Sequence, residues 1–179
     1  MRAAGRSIEI YVNKPTASGN KKGISDIAAA IGGRRVETVI GRGHTQIIAP
    51  LQADSRRILG DRIRDVAAVL VGACGGDASV REMISTFGYK PFFATKATGR
   101  AVINNAIVES YIGALLAARP GERVFLPGVL SRALAPMLRN KVDKDLQTDA
   151  GLYEANMATV YTAYLFNAHV RRHVQRTTH

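Results

Sequence analysis

The side chains whose types and spacing could do chemistry are first of all cations. Arg56, Arg57, Arg62 and Arg64 crowd one short segment. Lys21 and Lys22 form a pair, Arg34 and Arg35 another, and Arg42 stands between glycines in Gly41-Arg42-Gly43-His44. Lys96 and Arg100 lie in the stretch YKPFFATKATGR with the rings of Tyr89, Phe92 and Phe93. Cations neutralise phosphates, guanidinium groups grip them bidentately, and aromatic rings stack on unpaired bases. Lys21, Lys22, Arg34, Arg35, Arg42, Arg56, Arg57, Arg62, Arg64, Lys96 and Arg100 are therefore the expected nucleic-acid contacts. No base-reading motif accompanies them, so the contacts would be to the phosphate backbone, independent of base sequence. The favoured site is a groove uniting Arg56, Arg57, Arg62 and Arg64 with Lys96 and Arg100, and the N-terminal cations are the competing site. For Phe92 and Phe93 the competing role is a hydrophobic plug beneath a loop, and for the glycine-arginine loop an ordinary turn is the leading reading.

Other chemistries find less support. His169 and His173 have the spacing of one helix face, but their neighbours are arginines and no His-Glu motif accompanies them, so no metal site is expected. A single cysteine, Cys74, excludes an intramolecular disulfide framework and a multi-cysteine zinc site. It follows an apolar run and reads as a buried, inert thiol. His44 has no recognisable partner. The stretch VAAVLVGACGGDAS could be a buried strand entering a phosphate-binding loop, yet it holds neither G-x-G-x-x-G nor G-x-x-x-x-G-K-[ST]. Arginines at helical intervals before it favour a helix ending in glycine. No serine, cysteine or carboxylate pair stands in a catalytic context, so no enzyme, catalytic residue or cofactor is expected. The glycine loops at 41–43 and 72–76 are the sole support for an enzyme with a small-molecule site.

The elements that must position these groups follow from composition and pattern. The chain has 179 residues, 46% of them hydrophobic, with 25 Lys and Arg against 14 Asp and Glu, a net charge of +11 and a pI near 10.3. One folded domain with an affinity for polyanions fits these values. The N-terminus starts basic without an apolar stretch of signal-peptide length, and no apolar run is long enough to span a bilayer. A protein of the virion or host cytoplasm, with no membrane partner, is expected.

Residues 101–118, AVINNAIVESYIGALLAA, are apolar around most of a helical circumference and read as a central buried helix, capped by Thr98 and Gly99 and ended by Arg119, Pro120 and Gly121. A short strand is expected at 7–12, a turn-rich loop at 13–23 and a short helix at 24–31 stopped by Gly32 and Gly33. Residues 35–40 and 45–49 read as a β-hairpin. A helix from Asp54 or Ser55 to about Gly72 would bury Ile58, Leu59, Ile63, Val66, Ala67 and Leu70. A short helix to Phe87 would start at a Ser79–Glu82 capping box. Residues 123–126 suggest a brief extended segment. Further helices are expected at 129–141, with Pro136 near its start or kinking it, and at 152–174, capped by Asp149 after a polar connection. The fold class is mainly α: a single helical-bundle domain with a central buried helix, a small N-terminal β-hairpin or strand region, and basic terminal arms. The division is an arm at 1–23, a core at 24–174 and a tail at 175–179.

The segment Arg100-Ala101-Val102-Ile103-Asn104-Asn105-Ala106-Ile107-Val108-Glu109 resembles a helix of rod-shaped plant-virus coat proteins of the tobamovirus type. It covers ten of the 179 residues, the continuation to His179 departs from that family, and no RNA-binding residue is carried over from it. Together these features lead to a nucleic-acid-binding structural protein, a viral coat or nucleocapsid subunit packaging RNA in preference to DNA and self-associating into a large homo-oligomer. The alternatives are a cellular nucleic-acid-binding module or ribonucleoprotein subunit and, third, the small-molecule enzyme.

Overall fold

The run from Val66 to Ala73 decides the architecture. Val66, Ala68, Val69, Leu70, Val71 and Ala73 are all buried, so this segment meets protein on both sides. A short run buried on both faces is the signature of a central strand in a parallel sheet. The computed structural model describes residues 2–3, 6–11, 21–42, 44–75, 79–88, 90, 92–95, 99–119, 122 and 124–154. Within them the chain is mainly helical around a three-stranded parallel sheet.

In chain order the elements are β1 (Arg2–Ala3) and β2 (Arg6–Ser7), an antiparallel pair; α1 (Lys21–Ile31); β3 (Thr38–Arg42); α2 (Ile48–Leu59); β4 (Ala68–Gly72); α3 (Val80–Phe87); β5 (Phe92–Ala94); α4 (Ala101–Ala117); and α5 (Leu126–Leu138). A further helix, α6, is described over 144–154. The strand order is β3-β4-β5, with Thr38 opposite Ala68, Arg42 opposite Gly72 and Val69 opposite Phe92.

Strand alternation sorts the core into two layers. Val69, Val71 and Phe92 face Ile31, Ile48, Leu59, Met83 and Phe87, which come from α1, α2 and α3. Ala68, Leu70 and Phe93 face Ile103, Ile107, Tyr111, Leu130, Leu134 and Tyr153, from α4, α5 and α6. Helices thus cover both faces of the sheet. The α4 helix buries Ile103, Asn104, Ile107 and Tyr111 on one face and leaves Val102 half exposed.

Several elements depart from the sequence reading. Residues 35–40 and 45–49 form no hairpin: β3 pairs in parallel with β4, and 45–49 turn through a 3-10 segment (Thr45–Ile47) into α2. Pro50 falls in the first turn of α2, where its missing N–H costs nothing. The helix expected from Asp54 or Ser55 to Gly72 is three elements. Asp54 and Ser55 lie inside α2, which ends at Gly60 (φ 53°); a 3-10 segment (Gly60–Asp65) follows, then β4. Val66, Ala67 and Leu70 are consequently off any helix face.

Lys21 and Lys22 open α1 instead of closing a loop, and the helix stops at Gly32 (φ 52°) and Gly33 (φ 86°) as expected. Of the strand expected at 7–12, Ser7 alone among the described residues is in regular pairing, and Val12 lies outside the described residues. Tyr11, within the expected arm, packs against the α1–α3 layer of the core. α3 begins after Ser79 as expected, without a side-chain capping bond, and α4 has Arg100 as its N-cap. α5 starts at Leu126, with Pro127 in its first turn, and Pro136 lies near its end. The stretch 143–149 is mostly helical: Asp143 Oδ1 accepts the Leu146 N–H at 2.8 Å and starts α6, which Asp149 lies inside. The expected continuation of the last helix to 174 and the tail lie outside the described residues.

Candidate functional site

The predicted cations separate into groups. At the amino ends of the strands, Arg34 and Arg35 precede β3, Arg62 and Arg64 precede β4, and Lys90 precedes β5. Arg62 donates to the Arg34 carbonyl at 3.0 Å, and Arg34 pairs with Glu9. The Tyr11 hydroxyl, then Arg34, hold the Glu9 carboxyl below its usual range. Lys90 is buried, its ammonium donates to the Arg64 and Val66 carbonyls, and burial lowers its pKa. Arg56 donates to Thr86 Oγ1 at 2.9 Å across α2 and α3, and Arg57 is exposed beside it. Arg42 and Arg100 lie at the opposite, carboxyl ends of the strands, where Arg100 pairs with Asp149. The side chains of Lys21 and Lys22, and all of Lys96, lie outside the described residues.

The structure therefore brings Arg34 and Arg62 together but does not join Arg62 and Arg64 with Arg100. A five-residue strand, roughly 16 Å long, separates the two edges. The expected groove requires a single helix over 55–72 facing residues 101–118, and that helix does not form. Phe92 and Phe93 are both buried in the core, as a hydrophobic plug would be.

The carboxyl edge of the sheet carries a second constellation. In parallel α/β sheets this edge collects the loops that bind ligands, because successive helices leave it open. Gly41 and Gly72, which begin the two glycine-containing stretches, lie at this end of the neighbouring strands β3 and β4. Arg42 and Gly72 are register partners. His44 and Cys74 each follow two residues later, at the mouths of adjacent strands. His44 leads into the 3-10 segment, and its carbonyl accepts the Ile47 N–H at 3.0 Å. Cys74 is half-buried on a turn with Gly75 at φ 60°, so it is not the core thiol that the sequence suggests.

Side chains from α4 and α6 brace the Cys74 loop. The Gly99 N–H donates to Cys74 Sγ at 3.1 Å. Asn104 Nδ2 donates to the Gly72 carbonyl at 3.3 Å, and Thr95 Oγ1 donates to the Ala73 carbonyl. Tyr153 Oη donates to Asn104 Oδ1 at 3.2 Å and accepts the Arg100 N–H at 2.7 Å. Burial raises the Tyr153 pKa, which keeps this hydroxyl protonated as a donor. Gly72 is required where it stands, because a Cβ there would lie 2.8 Å from Asn104 Cγ. Both carbonyls preceding Cys74 are thus held by buried side chains.

Sequence reading missed that His44 and Cys74 follow neighbouring strands, because they lie thirty positions apart and because 55–72 read as one helix. A signal was present: the arginines stop at Arg64, and from Val66 to Ala73 no charged residue interrupts the run. A groove of about 580 Å³ opens between the second half of α4 and the start of α5, lined by Ser110, Gly113, Ala117, Phe125 and Arg132 among others, away from this edge. Among the described residues no three His, Cys, Asp or Glu side chains gather to hold a metal ion, and no helix is long and apolar enough to cross a membrane. No protein-family model, curated protein or solved structure matches the chain.

Proposed function

We propose that the protein is a thiol-dependent hydrolase in which Cys74 is the nucleophile and His44 its general base. The observation that carries this reading is the parallel register of β3 and β4, whose paired last residues, Arg42 and Gly72, each stand two positions before one of the two residues. Strand alternation adds to it. Arg42 and Gly72 point to the α4 side of the sheet, where the Gly99 N–H also meets Cys74 Sγ. A thiol beside an imidazole on a braced turn is the arrangement that activates cysteine for acyl transfer. His44 takes the proton from Sγ as sulfur attacks a substrate carbonyl. The C–N bond then breaks, and the amine leaves with the proton that His44 returns. Water attacks the thioester while His44 takes its proton, and Sγ leaves and is reprotonated. The N–H groups of the glycine turn at Cys74 and Gly75 serve the developing oxyanion. Hydrolysis of a mixed fluorogenic peptide pool tests the proposal. Cys74→Ala and His44→Ala should each lower turnover by about 10³-fold or more with unchanged circular dichroism. Turnover that survives both substitutions, or none that depends on Cys74, would overturn it.

A second reading is favoured by charge. The excess of +11, together with exposed Arg35, Arg57 and Arg64, suits binding to a nucleic-acid backbone, RNA in preference to DNA, by a structural subunit of coat or nucleocapsid type that self-associates. Particle size in solution and co-purifying nucleic acid test it. A small oligomer free of nucleic acid would count against packaging.

A further inference from the structure

The second half of α4 carries apolar surface that the core does not cover. From Ile112 to Ala117 every residue is apolar, yet none is fully buried, and Tyr111 is the last residue of the helix that is. With the start of α5 this half of α4 lines the groove of about 580 Å³, and Phe125, 66% exposed, stands in its wall. Charge is sparse here. In a chain with 25 Lys and Arg against 14 Asp and Glu, α4 carries a single charged residue, Glu109, and α5 a single one, Arg132. Among the described residues the groove's lining holds one carboxylate, Glu122, and one guanidinium, Arg132, both exposed. Glu122 accepts the Arg119 N–H at 2.8 Å, and among the described residues neither side chain is paired with an opposite charge. Gly113 lies in the groove and is exposed within α4, where glycine makes a helix less stable than alanine would. A Cβ added there would meet nothing within 4 Å, so no described residue of the chain requires the glycine.

We infer that the α4–α5 groove is the contact between two copies of this chain, packed across a two-fold axis with Gly113 at the close approach and Glu122 of each copy paired with Arg132 of the other. A two-fold contact uses the same patch on both sides, so the patch must complement itself. One unpaired anion and one unpaired cation in a single groove do so, because the axis turns them into two cross-pairs, at the rim where the charges of an interface belong. The balance matters in a chain of net charge +11: copies that meet through basic surface repel, whereas this lining is neutral. Gly113, Ala114, Ala117 and Gly128 leave room for the aromatic ring of Phe125 from the other copy, and burying such a ring drives association. The contact gives the self-association proposed above its face, and it uses no residue of the Cys74 edge.

Sedimentation velocity of the full-length protein after nuclease treatment tests the contact. The expected species is a dimer, twice the 19.3 kDa chain. Gly113→Leu fills the groove and should return the mass to one chain, while melting no lower than the unaltered protein in dilute solution, where both are single chains. Glu122→Arg and Arg132→Glu should each weaken association by about tenfold or more, because each sets like charges together twice. Mixing these two variants should restore the dimer, since both cross-pairs are then opposite in sign. A single chain at every concentration up to about 100 μM would overturn the contact and self-association together. An assembly whose mass none of the variants changes, or variants that fail to associate on mixing, would overturn the contact alone. A lower melting temperature for dilute Gly113→Leu would place a segment of the same chain in the groove and likewise overturn it.

Discussion

Replacing Gly72 with alanine tests the bracing of the Cys74 loop. The new Cβ would lie 2.8 Å from Asn104 Cγ and Nδ2, closer than side-chain carbons approach. Asn104 is only 4% exposed and is fixed by bonds to the Gly72 carbonyl and to Tyr153, so it has nowhere to swing. Overpacking of this kind costs about 1–3 kcal/mol, and a displaced buried amide loses about 1 kcal/mol for its hydrogen bond. Gly72→Ala should therefore destabilise by about 2–4 kcal/mol, a fall in Tm of roughly 5–15 °C for a chain of this size. Asn104→Ala empties the space that the methyl needs. In that background Gly72→Ala should cost below about 0.5 kcal/mol, giving a coupling of about 2 kcal/mol or more in urea denaturation. The Gly72 φ is not in the left-handed region, so no backbone strain confuses the cycle. Additive costs, with the same penalty in both backgrounds, would refute the packing of β4 against α4 on which the site is built.

Phe93 is fully buried between the sheet and α4, so Phe93→Ala should cost about 3–5 kcal/mol by chemical denaturation, whereas an exposed loop aromatic would cost almost nothing. Burial raises the pKa of Tyr111 and Tyr153 above the ordinary 10.0, so the folded protein holds these protons more tightly than the unfolded chain does. The stability they protect is intact below pH 10 and is lost as the pH rises beyond it. Lys90, whose pKa burial lowers from 10.5, opposes that trend, since stability gains as the pH rises through the window below 10.5. Tyr153→Phe should cost about 1–2 kcal/mol at neutral pH through the absence of its two hydrogen bonds and should flatten the alkaline limb of the stability curve. If the protein binds nucleic acid, replacing Arg35, Arg57 and Arg64 with alanine should weaken unrelated oligonucleotides alike. The slope of log K against log salt should then become shallower by about 0.7–0.9 for each phosphate no longer neutralised. An unchanged slope would remove these side chains from any interface.

Much of the helical framework was legible in the sequence because its signals are local. The Gly32-Gly33 stop, the helix from residue 101 and the short helix ending at Phe87 depend on residues close to one another. The sheet was not legible, because a parallel sheet is made of pairings between residues tens of positions apart. Val69 meets Phe92 through a ladder that no local pattern records. Its buried strand also lacks the apolar-polar alternation of a strand exposed on one face. The same non-locality hid the candidate site: in the linear chain His44 has no partner nearby and Cys74 reads as inert, and nothing local shows that the strands they follow, β3 and β4, are neighbours. Gly60 was the overlooked punctuation. Its positive φ ends α2 and separates the arginine-rich helix from β4.

The claim that Cys74 and His44 act together is tested most directly by acylation in a single turnover. The protein is mixed with p-nitrophenyl acetate, p-nitrophenol release is followed optically, and the acylated residue is located by mass spectrometry. The account predicts a burst that leaves one acetyl group on Cys74, and in His44→Ala a burst at least about 100-fold slower, as expected when a general base is removed. Acetylation of Cys74 at the same rate without His44, or acetyl spread over lysines with none on Cys74, would contradict it.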